Sequence, residues 1–288
     1  MDKHNLNAFI TVAETKSFSS AAEILHVTQS TISKRIAVLE RTMGQKLFDR
    51  IARQVSLTPA GAELLPRAKH MVQEYQNAIQ AINDLSGSTS GILRLAISHH
   101  LGLHRLPPIL RAYAQGHPDV ALDIEFMDSE KAYEQVLHGH SELAVITLAL
   151  EHHNNIARRK IWDDRLRFVC AQDHPLSEVP SPKLTHLADY PVILPGLNTY
   201  TGRIVQNLFQ AEDIRLKSPM STNYLETIST MVEVGLGWSV LPETLVKDLH
   251  VMSITDCHIQ RELGYIHHTK RTLSNSAKAF IALINQQP

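Results

Sequence analysis

The 288-residue sequence predicts an α/β chain in two parts: a small helix–turn–helix unit with a wing and a long trailing helix, then a two-lobed α/β body. Three observations carry this. Residues 17–40 read as two short helices around a tight turn. An unbroken 4-3-4-3 apolar spacing runs from Leu64 to Leu85. From residue 92 onward, short apolar runs alternate with amphipathic helical patterns in β-α-β-α-β order.

The chain opens on an amphipathic helix with Leu6, Phe9, Ile10, Val12 and Ala13. Ser19 or Ser20 is then placed to cap a short helix, with Glu23 three residues after Ser20 completing a capping box. Ala21, Ala22 and Leu25 form its inward face, the alanines being small enough for a second helix to cross closely. His26-Val27 makes the turn, and Thr28 caps a second helix read over 28–40.

That second helix carries the chemistry. Ile32, Ile36 and Leu39 recur at i, i+4 and i+7 and form one buried stripe. Ser30, Ser33, Lys34, Ala37 and Arg41 then share the opposite face, flanked by Thr31 and Arg35. Short hydroxyls let a helix approach a groove floor, Gln29 can address a base edge, and the cations suit phosphates. A second helix entering the major groove fits this face, although spacing alone also allows a plain amphipathic hairpin. The alternating stretch 50–57 reads as a small hairpin with Arg53 at its tip, suited to a phosphate or minor-groove contact or simply to solvent. The candidate DNA contacts are therefore Gln29, Ser30, Thr31, Ser33, Lys34, Arg35 and Arg53.

Charge agrees with this division. Residues 1–58 hold eight Lys/Arg against five Asp/Glu, a net of +3, which leaves −4 on the remainder. With 43% hydrophobic and 20% charged residues the composition is that of a globular protein. No run approaches the roughly 18 apolar residues of a membrane span, and no charged-then-apolar leader pattern opens the chain. The expectation is a cytoplasmic protein with no membrane partner.

Leu39-Glu40, Gly44, Leu47-Phe48-Asp49-Arg50 and Leu57-Thr58-Pro59-Ala60-Gly61, together with Phe9, Ser17-Phe18-Ser19 and Ala21-Ala22, resemble the LysR-type transcriptional regulators. Ser30 departs from many members, which have proline there, and this touches only the DNA sequence read. The resemblance implies a winged helix-turn-helix over 1–58 and a dimerisation helix with hinge over 59–91. It further implies a periplasmic-binding-protein-like effector domain over 92–288. Its partners would be a pseudo-palindromic double-stranded operator, a small-molecule effector, further copies of the chain and RNA polymerase.

The residues themselves support the middle part. Thr58 caps a helix with Pro59 at its first position. Leu64, Ala68, Met71, Tyr75, Ala78, Ile82 and Leu85 then make a narrow heptad seam, suited to a partner helix. At about 28 residues the rod would be roughly 42 Å long. Ser86-Gly87-Ser88-Thr89-Ser90-Gly91 is a flexible linker. Two such subunits, and a tetramer of them, would place recognition helices on paired half-sites.

Strands are expected over 92–97, 120–126 and 142–146, with helices at 107–113 and 131–138 between or beside them, which gives a parallel sheet. After Trp162 the pattern restarts, with strands at 166–171, 192–194 and 238–242, helices near 201–211 and 224–234, a late strand over 262–268 and a terminal helix over 274–284. One lobe would hold about 92–161 and 267–288, the other 162–266. His174-Pro175-Leu176, Val234-Gly235-Leu236-Gly237 with Leu241-Pro242, and Arg271-Thr272-Leu273-Ser274 extend the resemblance across this half.

In open α/β sheets a ligand lies beyond the C-terminal strand ends. The resemblance points to His100, Ser129, Thr147 and Thr199, and the strand ends add Asn198 and His267. This set holds no arginine or lysine, so a monoanion or neutral polar effector is favoured, and no cofactor is expected.

Other readings carry less. His99, His100, His104, His267 and His268 could hold a metal, but adjacent histidines on a strand face opposite ways and no acid completes the set; no metal ligand is assigned. The two cysteines form no CxxC, and Cys170 falls in an apolar strand. Neither a G-x-S-x-G elbow nor a phosphate-binding glycine loop occurs, so an enzyme is not expected. A transport-type solute-binding module with an incidental helical domain is the runner-up.

Overall fold

The computed structural model describes residues 2–51, 54–85, 87–151, 153–254 and 257–287. It divides into two compact units, Met1–Ser86 and Gly87–Pro288.

In the first unit, helices α1 (Lys3–Thr15), α2 (Phe18–Ile24) and α3 (Gln29–Met43) lead into a hairpin of β1 (Phe48–Ile51) and β2 (Gln54–Leu57), then α4 (Pro59–Asp84). The α2 cap is Ser17, which accepts the Ser20 amide at 3.2 Å, rather than Ser19 or Ser20. All three serines have the capping chemistry, but only this start puts Phe18 inside the helix with its ring buried. Thr28 caps α3 through the Thr31 amide at 3.2 Å. Ile32, Ile36 and Leu39 lie in one core with Phe9, Val12, Phe18 and Leu47. Gly44 ends α3 in left-handed backbone, φ 67°.

Glu40 braces the turn that follows, accepting the Leu47 amide at 2.9 Å and the Lys46 ammonium at 3.1 Å. Burial alone would raise its pKa, but these donors outweigh it and hold the carboxyl below its usual range. Thr58 caps α4, accepting from the Gly61 amide at 3.0 Å while donating to the Lys46 carbonyl at 2.7 Å. Gly61 sits so close to Leu47 that a Cβ would collide with its carbonyl oxygen and lie 2.9 Å from Leu57. Along α4 the seam changes character. Leu64 and Ala68 are buried in the unit's own core, whereas Tyr75, Ile82 and Leu85 are 51, 68 and 85% exposed.

The second unit begins with β3 (Gly91–Ser98), α5 (His99–His104), α6 (Pro107–Gly116), β4 (Val120–Met127), α7 (Ser129–Leu137) and β5 (Leu143–Thr147). β4 and β5 pair with β3 in parallel, as the alternating pattern requires. The next strand, β6 (Ile156–Cys170), is far longer than expected, because Arg158-Arg159-Lys160 disguises its first half as loop. Then come α8 (Leu184–Leu187), β7 (Ile193–Leu194), α9 (Tyr200–Ala211), β8 (Met220–Ser221), α10 (Leu225–Glu233), β9 (Ser239–Pro242), β10 (His250–Met252), β11 (Ile259–His268) and α11 (Asn275–Ile284).

Two long strands tie the lobes together. β6 and β11 pair antiparallel along their length; β11 also pairs with β5, while the C-terminal part of β6 pairs with β9 and β10. One core gathers Leu95, Ile97, Tyr113, Val145 and Phe280, another Phe168, Val205, Phe209 and Trp238. The Trp238 indole donates to the Leu187 carbonyl at 2.8 Å, which satisfies its buried nitrogen.

Candidate functional site

On the first unit the exposed side of α3 is a surface without internal counterions. Gln29, Ser30, Lys34, Ala37 and Arg41 are exposed, and Thr31, Ser33 and Arg35 half-buried. Thr28 binds the Ser30 and Thr31 hydroxyls at 2.9 and 2.8 Å, which fixes the helix's first turn. Among the described residues, neither Lys34, Arg35 nor Arg41 takes part in an ion pair; Lys46 has claimed Glu40. Three cations over short hydroxyls therefore face outward. Arg53 lies outside the described residues, and Arg50 stacks its guanidinium 3.9 Å above the Phe18 ring.

On the second unit the C-terminal ends of β3, β4 and β5 open on a crevice. Its inner recess has a cavity volume of about 50 Å³ and is lined by His100, Ser129, Thr147 and Thr199, together with Thr201 and Arg261. Ser129 accepts the Thr147 amide at 3.1 Å, so two of these hydroxyl residues hold each other. Thr199 caps α9, accepting from Gly202 at 3.0 Å. An outer groove of about 570 Å³ shares His99, Met127, Asp128 and Asn223 with the recess and adds Lys131 and Asn198. Asn198 thus lies at the mouth rather than inside.

His267 is displaced from the set. β11 runs antiparallel to β5, and His267 stands opposite Leu143 while Leu263 stands opposite Thr147. The end of β11 is therefore at the far end of the sheet from the crevice, a consequence of strand direction, which alternation does not encode.

The recess instead holds a cation. Arg261 is 5% exposed; its Nε binds the Asp164 carboxylate at 2.7 Å and its Nη1 donates to Thr201 Oγ1 at 2.8 Å. Nη2 is buried without a partner. A buried donor left so costs about 1–3 kcal/mol unless an acceptor reaches it. The sequence does carry a signal for this pair. Ile259, Arg261 and Leu263 share a face of β11, Trp162, Asp164 and Leu166 a face of β6, and Arg261 and Asp164 are direct cross-strand partners. A charge at an apolar-face position on both of two late strands marks a paired buried site.

Protein carboxylates and amides close the crevice. Glu130 accepts the Tyr200 amide at the start of α9. Asp128 accepts from Asn223 at 2.8 Å, and Asn223 accepts the Gly196 amide at 3.1 Å. Burial raises the Glu130 pKa despite these neighbours. His99-His100 open α5 rather than ending a strand, so His100 and His104 lie one turn apart. Glu226 on α10 accepts from His104 at 2.9 Å and stands 3.7 Å from His100 Nδ1. The facing His100 imidazole, with burial opposing and His104 adding, holds Glu226 down at about 2. Burial pushes His100 down and Cys170 up to about 11, leaving the latter an inert thiol.

A free cationic helix face and a polar crevice in one polypeptide make this a regulator that binds DNA and carries its own ligand domain. Residues 4–62 match the bacterial regulatory helix-turn-helix proteins of the lysR family, and residues 86–288 match the LysR substrate binding domain. The chain belongs to the LysR family of transcriptional regulators, which are not enzymes. The transport-type reading is thereby set aside. An uncharacterised HTH-type transcriptional regulator of Azotobacter vinelandii is 56% identical over 108 residues, 38% of this chain and 75% of that protein. The uncharacterised regulator YbhD of Escherichia coli is 27% identical over 98% of this chain and 91% of its own. In fold, full-length CbnR complexed with its target DNA superposes with a TM-score of 0.75 at 20% identity, covering 99% of both chains. The effector binding domain of QuiR in complex with shikimate superposes with 0.62 at 20% identity, covering 68% of this chain and 96% of that one. Among the described residues no helix is long and apolar enough to cross a membrane.

Proposed function

We propose that α3 enters the major groove, with Gln29, Ser30, Thr31 and Ser33 toward base edges and Lys34 and Arg35 on phosphates, and that Arg53 of the wing contacts the flanking backbone. The 1–58, 59–91 and 92–288 segments act as reader, dimerisation helix with hinge, and effector domain. Tyr75, Ile79, Ile82 and Leu85, bare in one subunit, pack against the same residues of a second; pairs of dimers then form a tetramer. RNA polymerase is the downstream partner and the cytoplasm the compartment.

The effector is a small monoanion, and the partnerless Arg261 Nη2 carries that reading. His100, Ser129, Thr147 and Thr199 surround the bound group, with Asn198 at the mouth. Asp164 already answers one charge of the recess and Glu130 lies nearby, so a second negative charge on the ligand is penalised. Binding shifts the population between lobe arrangements and so changes half-site spacing.

The test is thermal unfolding of the full chain against monocarboxylates, dicarboxylates, amino acids and neutral polyols. A monocarboxylate should raise the midpoint dose-dependently, and Arg261→Lys, which keeps the charge but loses Nη2, should abolish the shift. Stabilisation by dicarboxylates or neutral compounds alone contradicts the monoanion.

A further inference from the structure

His100 and His104 sit at i and i+4 on α5, the spacing at which two imidazoles on one helix face can share an ion. Glu226, 122 residues further along, brings a carboxylate to the same point from α10. One ligand atom from each lies within 4.8 Å of the others. The acid that the sequence lacks nearby is thus supplied by the other lobe, and the objection that neighbouring histidines diverge on a strand does not apply to this helical pair.

A second observation points to a ligand. The His100 side chain is 7% exposed, yet neither ring nitrogen has a hydrogen-bond partner. Its ring centroid lies 4.8 Å from that of His104, with the planes tilted by 42°, and it faces the Glu226 carboxylate. An ordinary His104–Glu226 hydrogen bond leaves His100 unexplained; an ion shared by all three satisfies it. His104 and Glu226 are 28 and 32% exposed, which leaves an approach from solvent. Arg261 stands behind His100, but Asp164 pairs with it and offsets its charge.

We propose that His100, His104 and Glu226 bind a divalent first-row transition metal, of which Zn²⁺ is the representative, and so pin α5 to α10 across the crevice. Two imidazoles and a carboxylate suit Zn²⁺ and its neighbours better than Mg²⁺ or Ca²⁺, which favour all-oxygen sets. Three protein ligands leave a fourth tetrahedral position for water or a ligand oxygen. This goes beyond the monoanion reading and does not depend on it, since Arg261 is not a ligand.

The experiment uses chelator-stripped full-length protein titrated with Co²⁺, followed by its visible d–d bands, with Zn²⁺ as competitor and metal content measured after dialysis. One Co²⁺ per chain should bind and be displaced by one Zn²⁺, and the metal should raise the unfolding midpoint. His104→Ala and Glu226→Gln, both at partly exposed sites that should fold normally, should each weaken binding by about tenfold or more and remove the midpoint shift. His138→Ala, at an exposed histidine, should change nothing. Equal binding by wild type, H104A and E226Q would place the metal elsewhere and overturn the proposal, as would the lack of a saturable site.

Discussion

The two units differ in the polar groups that they bury beside their apolar cores. In Met1–Ser86 the core is apolar, and among the described residues Thr58 is the only buried polar residue. In Gly87–Pro288 the buried set includes His100, Ser129, Thr147, Asp164, Thr199 and Arg261. Among the described residues, the buried side-chain nitrogens without partners, on His100, Arg105, Arg203 and Arg261, all belong to this second unit. A module that meets a duplex needs its polar groups on the outside over a core that stays put. A module that meets a small molecule must keep polar groups inside and leave some of them unsatisfied until the ligand arrives. Both units rest on apolar packing, and the second adds a few costly buried polar groups.

The largest expected effect tests one of those buried groups. Arg261→Met strands Asp164 as a buried charge and should lower the stability of the second unit by about 3–5 kcal/mol, whereas adding Asp164→Leu should restore most of the loss in denaturant unfolding. If the single and double variants unfold alike, the pair is not the buried charge centre described. On the other unit, Ser33→Ala with Lys34→Glu should weaken specific operator binding by about a hundredfold, the cost of losing a base contact and reversing a phosphate contact. Its unfolding midpoint should not move, because neither side chain is in the core.

A smaller change should come from a close backbone approach in the first unit. Gly61→Ala, forced against Leu47, should cost about 1–3 kcal/mol of first-unit stability. Ile82→Glu with Leu85→Glu should change subunit stability by less than about 0.5 kcal/mol, yet convert dimer to monomer in sedimentation. Unaltered association would remove the α4 seam as the interface. The mildest test is pH. Burial lowers the pKa of His174, whose Nδ1 accepts the Leu176 amide at 3.1 Å. The unfolded state therefore takes up a proton at higher pH than the folded one, and stability present above about pH 6.5 should decline as pH falls below it. His174→Asn should flatten that decline.

Much of this comparison was written in the sequence. The caps Thr28 and Thr58, the stripe Ile32, Ile36, Leu39 and the parallel β-α-β-α-β order are local patterns, and local patterns survive folding. The α2 cap slipped to Ser17 because three serines compete and only the burial of Phe18 decides. The helix at His99–His104 is too short for its period to be read, which hid the alignment of His100 with His104. His267 was misplaced because an alternating strand does not declare its direction. Arg261 and Asp164 both interrupt an apolar face, but their meaning lies in a cross-strand register that joins residues 97 positions apart. The reader is built from near neighbours, the crevice from distant ones.

The most direct test of the division is selection of genomic fragments by the full-length protein, wild type against the Ser33→Ala/Lys34→Glu variant, followed by sequencing. The wild type should enrich pseudo-palindromic sites with half-sites about one or more helical turns apart, and the variant should enrich none while remaining folded and dimeric. Equal enrichment of the same sites by both proteins would contradict the assignment of α3 as the reading helix.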